Sequence, residues 1–69
     1  MDIQKSIRLA MAHRNMNQRQ FAYASKITPT FISYILNGKH QPNITSIERM
    51  AAAVEMSVSE FIALGEEDI

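Results

Sequence analysis

Thr30, Ser33 and Tyr34 place three polar side chains at a spacing that, on a helix, sets them on the side away from Ile32 and Ile35. A hydroxyl can donate and accept hydrogen bonds, so such a face is suited to recognition. It is not equipped for catalysis, because the sequence holds no nucleophile–base pair, no metal-ligand cluster and no glycine-rich phosphate loop. His13 and His40 each lack a second ligand at helical or turn spacing, so no metal site is expected, and solvated or phosphate-adjacent imidazoles are the simpler reading. Cysteine is absent, which removes disulfides and thiol chemistry. No cofactor and no small-molecule ligand is expected.

Charge carries the second signal. The formal net charge is zero, yet residues 1–41 carry Lys5, Arg8, Arg14, Arg19, Lys26 and Lys39 against Asp2 alone. Residues 42–69 reverse the balance, with Arg49 against Glu48, Glu55, Glu60, Glu66, Glu67 and Asp68. The molecule is therefore dipolar, and its basic part can face phosphates while the acidic part turns away.

These side chains must be positioned by a small fold. With 69 residues there is one domain, 1–69, and with 46% hydrophobic and 20% charged residues the composition is that of a globular chain. The N-terminus lacks the apolar run of a secretory leader and no stretch is long enough to span a bilayer, so a soluble intracellular protein is expected. Ile3, Ile7, Ala10 and Met11 recur at helical spacing and predict a helix over 2–14, with Asp2 as its cap. Asn17 followed by Gln20 has the form of a capping box and predicts a short second helix from Gln18 to Ser25. Thr28-Pro29 combines a good cap with a residue pre-shaped for the first helical position, so a third helix starts at Pro29 and closes at Asn37-Gly38. Residues 39–43 read as an exposed loop. Thr45 to Glu48 reads as a second capping box, opening a helix over 46–54, and Ser57 to Glu60 as a third. The last helix buries Val58, Phe61 and Ile62 and stops near Gly65, leaving 66–69 as a solvated acidic tail. The methionines are read as core filler.

Helices two and three are joined by Lys26, Ile27 and Thr28 alone, too short a link for an antiparallel pair. A connection of this length holds two helices at roughly 90–120°, the helix-turn-helix geometry. Ala22 is small enough for close approach, and Phe21, Ile27, Ile32 and Ile35 can meet beneath the turn.

At this point the chain resembles the Cro/repressor-type (XRE) family of phage and bacterial transcription regulators. The carriers are Asn17-Gln18-Arg19-Gln20-Phe21-Ala22, Ile27-Thr28, Phe31 through Lys39, Pro42, and Met56-Ser57-Val58-Ser59-Glu60-Phe61, in that order over nearly the whole chain. The resemblance implies an all-α, five-helix, lambda-repressor-like domain whose helix-turn-helix occupies 18–37. It implies a sequence-specific repressor of phage or prophage type that binds a double-stranded DNA operator of palindromic half-sites as a homodimer. Base contacts would come from Thr28, Pro29, Thr30, Ser33 and Tyr34, with the methyls of Thr28 and Thr30 and the ring of Pro29 suited to thymine methyl groups. No Arg or Asn is poised for bidentate reading, so specificity would rest on apolar contacts and DNA shape. Phosphate contacts would come from Asn17, Gln18 and Arg19 at the start of helix two and from Arg14. Asn37, Gly38, Lys39, His40 and Gln41 would hold the backbone after helix three. Glu55, Met56, Val58, Phe61 and Leu64 would form the dimer contact.

The chain departs from the family pattern at three places. Lys26 and Glu55 stand where glycine is frequent, and the pair Met11 and Leu36 stands where many relatives have an Arg–Glu ion pair. Replacing such a pair by an apolar contact removes the desolvation of two charges, and direct packing of Met11 on Leu36 is expected. The chain ends where the DNA-binding domain of a repressor ends, so no sensor domain is expected. A restriction-modification controller, an antitoxin, or the N-terminal domain of a longer repressor would share the fold, and a protein-interaction module that never meets DNA is the reading of a different class.

Overall fold

The computed structural model describes residues 2–66. Five helices follow one another: α1 (Ile3–Arg14), α2 (Gln18–Ser25), α3 (Pro29–Leu36), α4 (Ile44–Ala53) and α5 (Val58–Glu66). The predicted tail residues Glu67, Asp68 and Ile69 lie outside the described residues.

Helix starts follow local chemistry. Asp2 Oδ1 accepts from the Lys5 amide at 3.1 Å and caps α1. Asn17 and Gln20 exchange both bonds of a capping box at 2.8 and 3.0 Å, and Ser57 and Glu60 do the same ahead of α5 at 3.1 and 3.0 Å. Thr28 Oγ1 accepts from the Phe31 amide, with Pro29 as the first residue of α3. The start of α4 differs from the sequence reading. It begins at Ile44, two residues early, because the Asn43 carboxamide oxygen takes the Ser46 amide at 2.8 Å and so replaces the predicted Thr45–Glu48 box.

Four helix ends close in the same way, with a residue in the left-handed region whose N–H and whose successor's N–H both turn back onto the helix. At Gly38 the bonds run from Gly38 N to the Ile35 carbonyl and from Lys39 N to the Tyr34 carbonyl. Asn15, Lys26 and Glu55 make the equivalent pairs with φ of 53°, 59° and 57°, so three closures use residues with a Cβ that disfavours this conformation. Lys26 and Glu55 thus close their helices with the same pair of bonds as Gly38, at the cost of strain.

Ile7, Phe21, Ile32, Ile35, Met50, Val54 and Phe61 form the centre of the core. Phe21 and Ala22 of α2 and Ile32 and Ile35 of α3 are buried together, while Ile27 packs at the edge of the same core. Leu36 is buried and Met11 packs against the core that buries it. The core is closed by α5 lying along α1. α5 is bounded at Glu66, next to the expected stop near Gly65, and Gly65 itself is a buried helical residue. A Cβ there would run into the Asp2 carbonyl oxygen and the Ser6 hydroxyl, so its missing side chain is what allows α5 to approach the start of α1. Buried Ser6 and Ser25 are both satisfied, donating to the carbonyls of Ile62 and Phe21.

Candidate nucleic-acid interface

The turn Lys26–Thr28 joins α2 to α3, which pack together, and burial divides α3 into two faces. Ile32, Ile35 and Leu36 are buried, whereas Thr28, Pro29, Thr30 and Tyr34 are exposed. Ser33 is half-buried and its hydroxyl accepts from the Asn37 carboxamide at 3.4 Å. The predicted readers therefore share one side of the helix, with two of them partly committed. Thr28 spends an acceptor on its own cap and keeps a donor; Ser33 is steadied by Asn37.

Two groups of exposed residues flank this face. At the start of α2, Asn17, Gln18 and Arg19 are exposed, and the capping box serves Gln20 and Asn17 but not the amides of Gln18 and Arg19. Those amides are of the unpaired kind that a helix N-terminus presents to an anion. Beyond α3, Asn37, Gly38, Lys39, His40 and Gln41 are all exposed. The His40 ring meets Phe31 edge-on, with centroids 4.8 Å apart and an angle of 60°, which holds the loop against the helix it follows. Gly38, at φ 73°, supplies the left-handed step that starts this loop.

Arg14 does not join these groups. Its Nε and Nη2 donate to the Val54 carbonyl at 3.2 and 2.9 Å, and Nη2 lies 3.5 Å from a Glu55 carboxylate oxygen. The end of α4 leaves carbonyls without helical partners, and Arg14 satisfies one of them. The structure thus places Arg14, expected at phosphate, at the end of α4 and apart from the residues flanking α3.

The residues expected at a dimer contact also divide. Phe61 is fully buried and Leu64 is 7% exposed, both in the protein's own core. The apolar stripe of a nine-residue helix closing a small domain is consumed by that core, so these two are withdrawn from any surface. Met56 and Val58 are half-buried and Glu55 is exposed.

Sequence reasoning missed two residues of α1. Gln4 Nε2 donates to the Ile35 carbonyl at 3.1 Å, and Arg8 Nη2 donates to the Leu36 carbonyl at 3.4 Å. Their spacing of four places both on one side of α1. Nothing local in the chain says that this side meets the end of α3. A cleft lined by Asp2, Gln4, Ile35, Gly38, His40 and Gln41 marks the same junction. A second, open groove is lined by Arg19, Tyr23, Lys26, Ile27 and Pro29, with Tyr23 78% exposed.

Among the described residues one carboxylate is perturbed. The Ser57 amide and hydroxyl both hydrogen-bond Glu60 and hold its pKa below the ordinary 4.5. Glu60 sits at the start of α5, away from the α3 face.

Among the described residues no helix is long and apolar enough to cross a membrane. Residues 7–61, from Ile7 in α1 to Phe61 in α5, match the family model described as Helix-turn-helix. No curated protein matches the chain.

Proposed function

The chain belongs to the helix-turn-helix family, in its Cro/C1 (XRE) type, a family of DNA-binding regulators, and from that premise we propose that it is a sequence-specific transcriptional repressor reading duplex DNA with α3. The observation that carries this reading is the division of α3. One side is locked into the core, and the other presents Thr28, Pro29, Thr30 and Tyr34 between two exposed groups suited to phosphate. A helix of this kind fits the major groove with its N-terminal half.

In this reading Thr28, Pro29, Thr30, Ser33 and Tyr34 meet base edges. Asn17, Gln18 and Arg19 hold one stretch of backbone, and residues 37–41 hold another. The methyls of Thr28 and Thr30 and the ring of Pro29 favour thymine, while Tyr34 and Thr30 add single hydrogen bonds. Each contact discriminates weakly, so groove shape carries a large share of the preference. Residues 1–69 act as one domain, and repression follows from occupying the operator.

One recognition helix per chain makes a homodimer on two half-sites the economical arrangement. Met56 and Val58, with Glu55 at their margin, remain the apolar candidates for that contact. A phage or prophage regulator working in the bacterial cytoplasm, without a small-molecule effector, is the setting the resemblance points to.

Selection of bound sites from a random duplex library tests the proposal. The expected product is a thymine-containing half-site repeated as a palindrome, with centres about 10–10.5 base pairs apart. Absence of enrichment at low salt would reject DNA reading and favour a protein-interaction role for the same surface.

A further inference from the structure

Arg8 and Arg14 both lie on α1, and the structure uses them in opposite ways. Arg14 has its guanidinium turned onto the Val54 carbonyl and the Glu55 carboxylate. Arg8 makes one bond, from Nη2 to the Leu36 carbonyl at 3.4 Å, and among the described residues it meets no carboxylate. A guanidinium carries five N–H donors in a planar fork, so most of the donors of Arg8 are unspent. The residue is exposed.

Its position gives those donors a direction. Leu36 is the last residue of α3, and Asn37, Gly38 and Lys39 follow it directly, all exposed. Gln4, one turn earlier on α1, donates to the neighbouring Ile35 carbonyl, so two side chains of α1 hold adjacent carbonyls at one helix end. A cation there also faces the negative end of the α3 dipole, which favours keeping it charged and in place.

We propose that Arg8 is a DNA-contacting residue: it caps the recognition helix through the Leu36 carbonyl and directs its remaining N–H donors to the backbone phosphate held by Asn37, Gly38 and Lys39. Gln4 is its positioning partner and carries no charge of its own. One guanidinium thereby ties α1, the end of α3 and the DNA backbone together. The inference rests on the DNA-binding reading above and adds to it a contact from a helix outside the helix-turn-helix.

The test measures equilibrium binding to a selected duplex and to a random duplex across a salt series, for the full chain and its Arg8→Gln and Arg8→Lys variants. Glutamine keeps a donor for the Leu36 carbonyl and removes the charge; lysine keeps the charge. Each phosphate contact contributes about 0.9 to the slope of log affinity against log salt. Arg8→Gln is therefore expected to flatten the slope by about 0.9 and to weaken both duplexes by the same factor. Arg8→Lys is expected to retain the slope of the parent. Thermal unfolding of both variants verifies that the fold is intact. An unchanged slope in Arg8→Gln overturns the proposal, and so does a loss confined to the selected duplex, since either outcome leaves Arg8 as a helix cap alone. A parent chain without salt-dependent binding to either duplex fails the DNA-binding reading itself, a result distinguishable from the other two.

Discussion

Replacing Lys26 by glycine is expected to make this protein more stable, although it deletes a side chain. Lys26 holds φ 59° and ψ 38°, and its N–H and that of Ile27 close α2 by bonding the carbonyls of Tyr23 and Ala22 at 3.2 and 3.0 Å. Any residue with a Cβ is strained there by roughly 1–2 kcal/mol. Glycine removes the strain but is freer in the unfolded chain, an opposing term of about 0.5–1 kcal/mol. The Lys26 side chain is exposed, so no core packing is lost. A net gain of about 0.5–1 kcal/mol remains, which in a domain of this size raises Tm by roughly 2–8 °C. Thermal unfolding followed by circular dichroism measures it, with Lys26→Ala as the control that keeps the strain. A Tm unchanged in Lys26→Gly, or raised equally in Lys26→Ala, would refute the strain argument. Because the turn keeps its conformation, the half-site selected from a random library is expected to stay the same.

Five further outcomes are expected. Gly65→Ala forces a methyl into the Asp2 carbonyl and the Ser6 hydroxyl and is expected to cost about 1–3 kcal/mol, read from the urea midpoint. Arg14→Gln is expected to lower stability by about 1 kcal/mol, a charge-assisted bond discounted for the 43% exposure of the Arg14 side chain, and to leave the salt slope of DNA binding unchanged. Lys39→Ala should flatten that slope by about 0.9 and weaken all sequences alike, whereas Tyr34→Ala should alter the selected half-site with the slope preserved. For Glu60 the folded pKa lies below the ordinary 4.5, so its contribution is present above that value and is lost as pH falls from about 4.5 through the lowered pKa. Acid titration of Glu60→Gln followed by circular dichroism should therefore lack part of the stability change that the parent shows below pH 4.5.

What was legible in the sequence was what depends on neighbours in the chain. Asp2, Asn17 with Gln20, Thr28 with Pro29, and Ser57 with Glu60 are caps whose partners lie within three residues, and each forms as the spacing predicts. The start of α4 was misplaced because Asn43 caps Ser46 without a reciprocal Glu or Gln, while Thr45 and Glu48 imitate the reciprocal pattern two residues on. Gly65 lies beside the helix end that its type signals, but its close approach to α1, from the far end of the chain, was not legible in the spacing. The partners of the α1 arginines were out of reach of the sequence for the same reason. Arg14 finds the Val54 carbonyl forty residues away and Arg8 finds the Leu36 carbonyl twenty-eight away, distances over which spacing carries no information. Phe61 and Leu64 show how amphipathicity misleads about interfaces: one apolar stripe marks a buried face, and in a chain this short that face belongs to the monomer.

Under the proposed reading, a face that discriminates weakly requires α3 to be firmly held. A hydroxyl or a methyl discriminates between bases by less than a bidentate Arg or Asn would, and it does so over a shorter reach. Shape reading also demands that the helix enter the groove at one depth and one angle, since deformation of the DNA is the quantity compared. α3 is eight residues long and would fray if left to its own hydrogen bonds. It is fixed at its start by the Thr28 hydroxyl and the ring of Pro29, and along its length by Ile32 and Ile35 in the core. At its end Gln4 and Arg8 hold two carbonyls and His40 rests on Phe31. Loosening the end without touching the reading face, by Gln4→Ala, should therefore reduce the ratio of selected to random binding while leaving every proposed base contact in place. A side chain that reads nothing would then be seen to govern how well the others read.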